Sequence, residues 1–172
     1  MIYEIRDIIE DDSHQYIKLN KQINSENPYM IRPADIYEIL PEQIMNEVRE
    51  HKTEDYKYWK VIIWGDTLIG HAKIGRSKKE RLRHKAEFTI GIVKEHTGKG
   101  IGSLLINDCI KWCSKNGVER LDLKVVEENR GACKLYERSG FERTGYLKND
   151  IRIAKDKYYD SIHMSRFIEE SK

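Results

Sequence analysis

The stretch from Ala86 to Val126 confines the fold more than any other part of the chain. "AEFTIGIV" alternates as a strand does, "TGKGIG" crowds three glycines into six residues, "SLLINDCIKWCSK" has helical spacing, and "RLDLKVV" alternates again. A strand, a helix and a second strand of one sheet can be joined only by a crossover. The crossover makes the two strands parallel and is right-handed. Glycine inside a helix costs about 1 kcal/mol relative to alanine, so Gly98, Gly100 and Gly102 at a helix mouth answer a demand of the backbone. Either the turn needs unusual dihedral angles there, or something must approach the main chain closely.

The rest of the sequence wraps around this unit. "IYEIRDI" reads as a strand over Ile2–Ile8, and "EDDSHQYIKLNKQIN" as a helix with Tyr16, Ile17, Leu19 and Ile23 on its apolar side. "SENPYMIRPAD" is a loop stiffened by Pro28 and Pro33. "LPEQIMNEVREH" is a second helix, with Pro41 suited to the first turn and Ile44, Met45 and Val48 on the inner face. Tyr58–Trp64, the turn Gly65-Asp66 and "TLIGHAKIG" predict a hairpin. "RSKKERLRHK" is a basic loop, read as a solvated hairpin end or a site that greets an anion. After Arg120–Val126 comes a short helix in "NRGACKLYERSG", stopped by Gly140, then strands in "FERTGYLKN" and "KYYDSIHMSRF". The order is β-α-α-β-β-β-α-β-α-β-β. It predicts an α/β fold with a mixed, mostly antiparallel sheet of about seven strands flanked by helices.

Bulk properties narrow the function. The 172 residues suit a single domain, 1–172. Thirty-one Lys and Arg stand against 29 Asp and Glu, which disfavours nucleic acid as the main partner. No apolar run reaches the ~20 residues that span a bilayer, and the acidic start lacks a secretion signal, so a cytoplasmic protein is expected. The three cysteines, Cys109, Cys113 and Cys133, fit small buried residues better than a metal site, and no metal is expected.

The glycine turn fails two familiar tests. A P-loop needs Ser or Thr after Gly-Lys, and Gly98-Lys99 is followed by Gly100. The dinucleotide fingerprint G-x-G-x-x-G is not matched by Gly98-Lys99-Gly100-Ile101-Gly102. What remains is physical. A helix N-terminus presents unpaired N–H groups and partial positive charge, and missing side chains let phosphate oxygens reach them.

"IGIVKEHTGKGIGSLLINDCIKWC" followed by "ENRGACKLYERSGFERTG" resembles the GCN5-related N-acetyltransferase (GNAT) family. The family's acetyl-CoA loop has the form Arg/Gln-x-x-Gly-x-Gly/Ala; here it reads Thr97-Gly98-Lys99-Gly100-Ile101-Gly102, with Thr97 where Arg or Gln is usual. Asn129, Ala132, Leu135, Tyr136, Gly140 and Phe141 match the second block. The resemblance covers most of the chain from about Tyr58 onward.

That resemblance implies transfer of the acetyl group of acetyl-CoA to a primary amine of a small molecule or a protein, by direct attack on the thioester. It places the pyrophosphate on the amides of Thr97, Gly98, Lys99, Gly100, Ile101, Gly102 and Ser103. The pantetheine arm would run beside Ile92 and Val93, where a bulge aims an amide at the thioester oxygen. Asn129 would position the cofactor and cap its helix. Tyr136 would be the general acid, since a phenol of pKa near ~10 carries a proton at neutral pH. Glu87 is the candidate base; histidine is a residue type suited to that task, but of His71, His84 and His96, His96 lies on the cofactor loop and His84 in the basic loop, so neither of these two is well placed. The N-terminal helices and the loop holding Tyr29 and Met30 would form the acceptor side. The rival reading is a non-catalytic acyl-CoA-binding regulator on the same fold. A nucleic-acid binder using the basic loop is a third. A homodimer through the last strands or a hairpin edge fits the pattern.

Overall fold

The computed structural model describes residues 2–30, 39–52 and 57–169. In chain order the elements are β1 (Tyr3–Asp7), α1 (Ser13–Glu26), α2 (Pro41–Lys52), β2 (Tyr58–Trp64), β3 (Thr67–Arg76), β4 (Lys85–Ile92), α3 (Ile101–Lys115), β5 (Arg120–Val126), α4 (Arg130–Arg138), β6 (Glu142–Ala154) and β7 (Lys157–Phe167). This is the order expected from the sequence. The strands form one seven-stranded sheet in the order β1-β2-β3-β4-β5-β7-β6. The β4–β5 pair is parallel, as the crossover through α3 requires, while β1–β2, β2–β3, β5–β7 and β6–β7 are antiparallel. No helix among the described residues is long and apolar enough to cross a membrane. Pro33 and the second half of the predicted loop around it lie outside the described residues.

The chain divides into two compact units, one of Met1–Gly75 with Thr89–Cys109, the other of Arg76–Phe88 with Ile110–Lys172. In the first unit, Arg6 of β1 makes a two-pronged ion pair with Asp12, at 2.6 and 2.7 Å. The same carboxylate accepts the Ile9 N–H at 2.9 Å. Burial works to raise the Asp12 pKa, but Arg6 and Ile9 outweigh it and the carboxyl sits below its usual range. This bond fixes the chain as it leaves β1 and enters α1. Helix α1 buries Tyr16, Ile17, Leu19 and Ile23, as their spacing predicts; α2 buries Ile44 and Val48, while Met45, expected beside them, is only half-buried. Tyr58 donates to Asp108 of α3 at 2.7 Å, and Lys60 pairs with the same carboxylate at 3.2 Å.

Strands β3 and β4 approach unusually closely where two glycines meet. A Cβ on Gly70 would lie 2.8 Å from the Gly91 carbonyl oxygen and 3.0 Å from Ile62 Cγ2. Just beyond, Val93 N–H donates to Ile69 O at 3.0 Å.

In the second unit the basic loop is pinned by its first residue. The Arg76 guanidinium donates to the carbonyls of Asn116 at 2.7 Å and Gly117 at 2.9 Å, and to that of Arg83. It therefore neutralises the C-terminal end of α3, where backbone carbonyls lack partners. Strand β6 runs past Asn149, where the alternation had placed its end, to Ala154. The physical reason is a bulge. Asn149 takes φ 54°, its N–H donates to Asp160 Oδ1 at 2.6 Å, and Tyr146 donates to the same carboxylate. Pairing with β7 then resumes at Ile151 opposite Tyr159.

Replacing Gly70 by alanine forces its methyl group onto the Gly91 carbonyl and is expected to cost about 1–3 kcal/mol. At Gly75 an added Cβ meets nothing within 4 Å, so G75A should stay within about 0.5 kcal/mol of the parent. Denaturant unfolding of the two variants checks the contrast.

Candidate active site

The glycine turn belongs to the first unit and is built by a chain of local bonds. Strand β4 ends at Ile92. The Val93 carbonyl accepts the His96 N–H at 3.0 Å, and Lys94 O accepts the Thr97 N–H at 3.1 Å, closing a 3-10 turn over Lys94–His96. The Thr97 hydroxyl doubles that closure, donating to Lys94 O at 2.8 Å. The turn is also tied to α1, because Lys94 N–H donates to Glu26 Oε2 at 2.6 Å. His96 is buried and packs edge-on against Trp64, with ring centroids 5.2 Å apart, and against Tyr3 at 6.0 Å. It is a wedge that holds the turn from beneath.

Two of the three glycines are needed for their dihedral angles. Gly98 has φ 73° and Gly100 φ 82°, values that side chains resist. Both face open space, since an added Cβ would meet nothing within 4 Å. Gly102 lies buried in the first turn of α3. Leu104 N–H makes a helical bond to Gly100 O at 3.1 Å. The N–H groups of Ile101, Gly102 and Ser103 precede it and have no helical acceptor. Thr97, Gly98, Lys99, Gly100 and Ser103 are all exposed. The result is an open cradle of amides at the positive end of a fifteen-residue helix.

Beside the turn, Ile92 and Val93 differ in what they offer. Val93 has both backbone groups engaged, its N–H with Ile69 and its carbonyl with His96. Strand alternation sends the backbone groups of Ile92 the opposite way from Val93, to the edge away from β3.

His71 of β3 is the side chain that the spacing alone did not single out as functional. It is buried, 8% exposed, among Tyr16, Ile23 and Gly91. Its Nδ1 lies 3.4 Å from Tyr16 Oη, and its Nε2 has no hydrogen-bond partner among the described residues. Nε2 occupies the space a side chain on residue 91 would need: a Cβ on Gly91 would lie 2.9 Å from it. Burial, aided by the charge of Lys73, pushes the imidazole pKa down to about 4. The only sequence signal was its place in the apolar and small run Leu68-Ile69-Gly70-His71-Ala72, all five of which are buried in the structure.

In the second unit, Asn129 is the N-cap of α4, its Oδ1 accepting the Ala132 N–H at 3.2 Å. Tyr136 is buried on α4, its ring edge-on to Phe88 at 6.3 Å and to Phe141 at 5.8 Å. Burial, and then the neighbouring Cys133, raise its pKa, so the phenol keeps its proton well above neutrality. Glu87 is exposed on β4, in register with Asp122 of β5. Asp122 itself is occupied by Arg120 at 3.0 Å and by the Ser165 hydroxyl at 2.6 Å.

Comparison with known proteins agrees with this architecture. The profile of the acetyltransferase (GNAT) family matches residues 18–141, and the chain belongs to that family. Over 100 residues it is 30% identical to the L-amino acid N-acetyltransferase AaaT of Escherichia coli (strain K12). That match spans 58% of this chain and 61% of the relative's length. A GNAT-family acetyltransferase from Streptococcus pneumoniae superimposes with a TM-score of 0.92 at 23% identity, covering 98% of this chain and 100% of that one. A GNAT superfamily phosphinothricin acetyltransferase from Sinorhizobium meliloti, in complex with acetyl-CoA, has a TM-score of 0.84 at 17% identity. It covers 100% of this chain and 91% of its own.

The buried neutral His71 has a consequence for stability. Its pKa of about 4 in the folded protein lies below the ordinary value of 6.5. Between these values the unfolded chain binds a proton that the folded one does not. Stability is therefore full above about pH 6.5 and falls by about 3 kcal/mol as pH drops towards 4. Chemical denaturation at stepped pH should show that slope, and His71→Gln should flatten it.

Proposed function

We propose that the protein is an N-acetyltransferase that moves the acetyl group of acetyl-CoA to a primary amine of a small molecule or a protein. The observation that carries this reading is the amide cradle that follows Thr97 and ends at Ser103, with Gly98 and Gly100 at positive φ in open space; the Thr97 N–H expected to join it is spent on Lys94 O. Family membership supports it. Amides at a helix N-terminus suit an anion of several oxygens, and the pyrophosphate of coenzyme A spans several donors. The cradle does not need an Arg or Gln at position 97, because the Thr97 hydroxyl closes the preceding turn itself.

The remaining roles follow. Ile92 takes the thioester carbonyl on its outward backbone edge, where a hydrogen bond stabilises the oxyanion as charge develops. This narrows the earlier pair, Ile92 and Val93, to the residue whose groups point away from β3. Asn129 positions the cofactor with the part of its amide that capping leaves over. Tyr136 offers its retained proton to the departing thiolate. Its raised pKa keeps the proton in place at neutral pH and makes the phenol a weaker acid than a solvated one, so the proton moves only as charge builds on sulfur. Glu87 is an exposed carboxylate that draws a cationic amine to β4. Three buried cysteines outside any disulfide fit work in a reducing cytoplasm.

Titration calorimetry with acetyl-CoA, followed by a CoA-release screen over amino acids, polyamines, aminoglycosides and peptide amines, tests the assignment. Binding with turnover of at least one amine class is expected. Absence of binding sinks the reading, and binding without turnover of any amine favours a non-catalytic regulator. Tyr136→Phe should lower kcat by about 10²-fold or more while leaving the dissociation constant for acetyl-CoA within about threefold. Unchanged turnover would remove Tyr136 from the acid role.

A further inference from the structure

The face of the sheet beneath α1 carries two buried polar atoms without protein partners among the described residues, Trp59 Nε1 and His71 Nε2. Both side chains pack on the Tyr16 ring, with centroids 5.1 Å away for Trp59 and 5.3 Å for His71. Leaving such an atom unbonded costs about 1–3 kcal/mol, and an aliphatic side chain would avoid it. The His71 atom packs against Gly91, the residue before Ile92, where a Cβ would meet Nε2 at 2.9 Å and Ile23 Cδ1 at 3.0 Å.

We propose that His71, rather than Glu87, takes the proton of the attacking amine, through Nε2 of the imidazole carrying its hydrogen on Nδ1. The proposal rests on the acetyltransferase reading. Nδ1 lies 3.4 Å from Tyr16 Oη, a hydroxyl that can either give or accept a hydrogen; in the arrangement proposed, Nδ1–H donates to that oxygen and the lone pair is on Nε2. The amine nitrogen adds its lone pair to the thioester carbonyl carbon, giving an adduct with positive nitrogen and negative oxygen. Nε2 removes one proton from that nitrogen. The oxygen pair re-forms the carbonyl, the carbon–sulfur bond breaks, and its electrons leave on sulfur, which takes a proton from the general acid. His71 then loses its proton to solvent and the acid regains one, so amine and acetyl-CoA have become amide and CoA.

The surroundings suit a base that is neutral at rest. Tyr16 of α1 is an uncharged phenol, β2 contributes Trp59, and β4 contributes Gly91. The nearest cation, Lys73, lies 3.4 Å over the Trp59 ring and pairs with Glu47 of α2 at 3.1 Å. A weakly basic imidazole cannot strip a free ammonium effectively. It does suffice for the adduct nitrogen, which is far more acidic, so the ammonium drawn in by Glu87 first loses one proton to solvent and attacks as the free amine.

Long-range proton–nitrogen spectra of the histidine-labelled full chain should show the Nδ1–H tautomer for His71, with the Nε2 resonance moving when acetyl-CoA is added. A proton resident on Nε2 overturns the proposal. With the fastest amine of the screen, His71→Gln should lose about 10²-fold or more in kcat, with acetyl-CoA affinity within about threefold. In His71→Gly, added imidazoles should restore turnover in order of their basicity. Activity of His71→Gln within threefold of the parent, or its retention while Glu87→Gln is inactive, also overturns the proposal. If a variant does not fold, the tautomer in the parent protein decides. Failure of the parent to bind acetyl-CoA overturns the broader reading instead.

Discussion

The close approach of β3 and β4 at Gly70 and Gly91 governs most of what surrounds it. No Cβ fits at Gly70 against the Gly91 carbonyl, nor at Gly91 against the His71 ring. With both side chains absent, the backbones come together and Val93 N–H reaches Ile69 O. That bond ends the strand at a defined residue. The Val93 carbonyl then starts the turn by accepting from His96, and Thr97 closes it. Gly98 and Gly100 follow in the left-handed region and deliver the chain into α3. The place where helix amides become available is thus set by contacts made several residues earlier, between two strands.

The turn is held on three sides by unlike forces. Glu26 at the end of α1 grips the Lys94 amide, a charge-assisted bond of 2.6 Å. His96 fills the space beneath with aromatic contacts to Tyr3 and Trp64. Thr97 supplies a second bond to Lys94 O. Together they brace the loop and leave its outer face exposed. At the other end of α3, Arg76 satisfies carbonyls of Asn116 and Gly117. One basic residue of a loop that reads as a possible anion site is in fact spent on the helix it precedes.

Much of the fold was legible because it rests on local rules. The β-α-β crossover followed from a change of hydrophobic period, the β2–β3 hairpin from Gly65-Asp66, and the end of α4 from Gly140. The bulge in β6 was not legible. Asn149 looks like a strand terminator, and only Asp160, eleven residues on and across the hairpin, makes its positive φ tolerable. The candidate site divides in the same way. The glycine turn and the Asn129–Tyr136 block show as motifs, because each acts through backbone or neighbours close in sequence. His71 does not, because its meaning comes from Tyr16, 55 residues away, and from Gly91 on the adjacent strand.

By itself the sequence determined the order of elements, the parallel crossover, the amide cradle and the residues that cap and stop α4. These depend on dihedral preferences and short-range bonds, which any chain carrying these residues would express. Tertiary structure alone decided that Val93 has no free amide while Ile92 faces outward, that the Thr97 hydroxyl turns back to Lys94 O, and that His71 is a buried neutral imidazole whose Nε2 has no partner among the described residues. Each of those facts depends on which strand lies beside which and at what register. Burial and partners, not residue type, then set what a polar group can do.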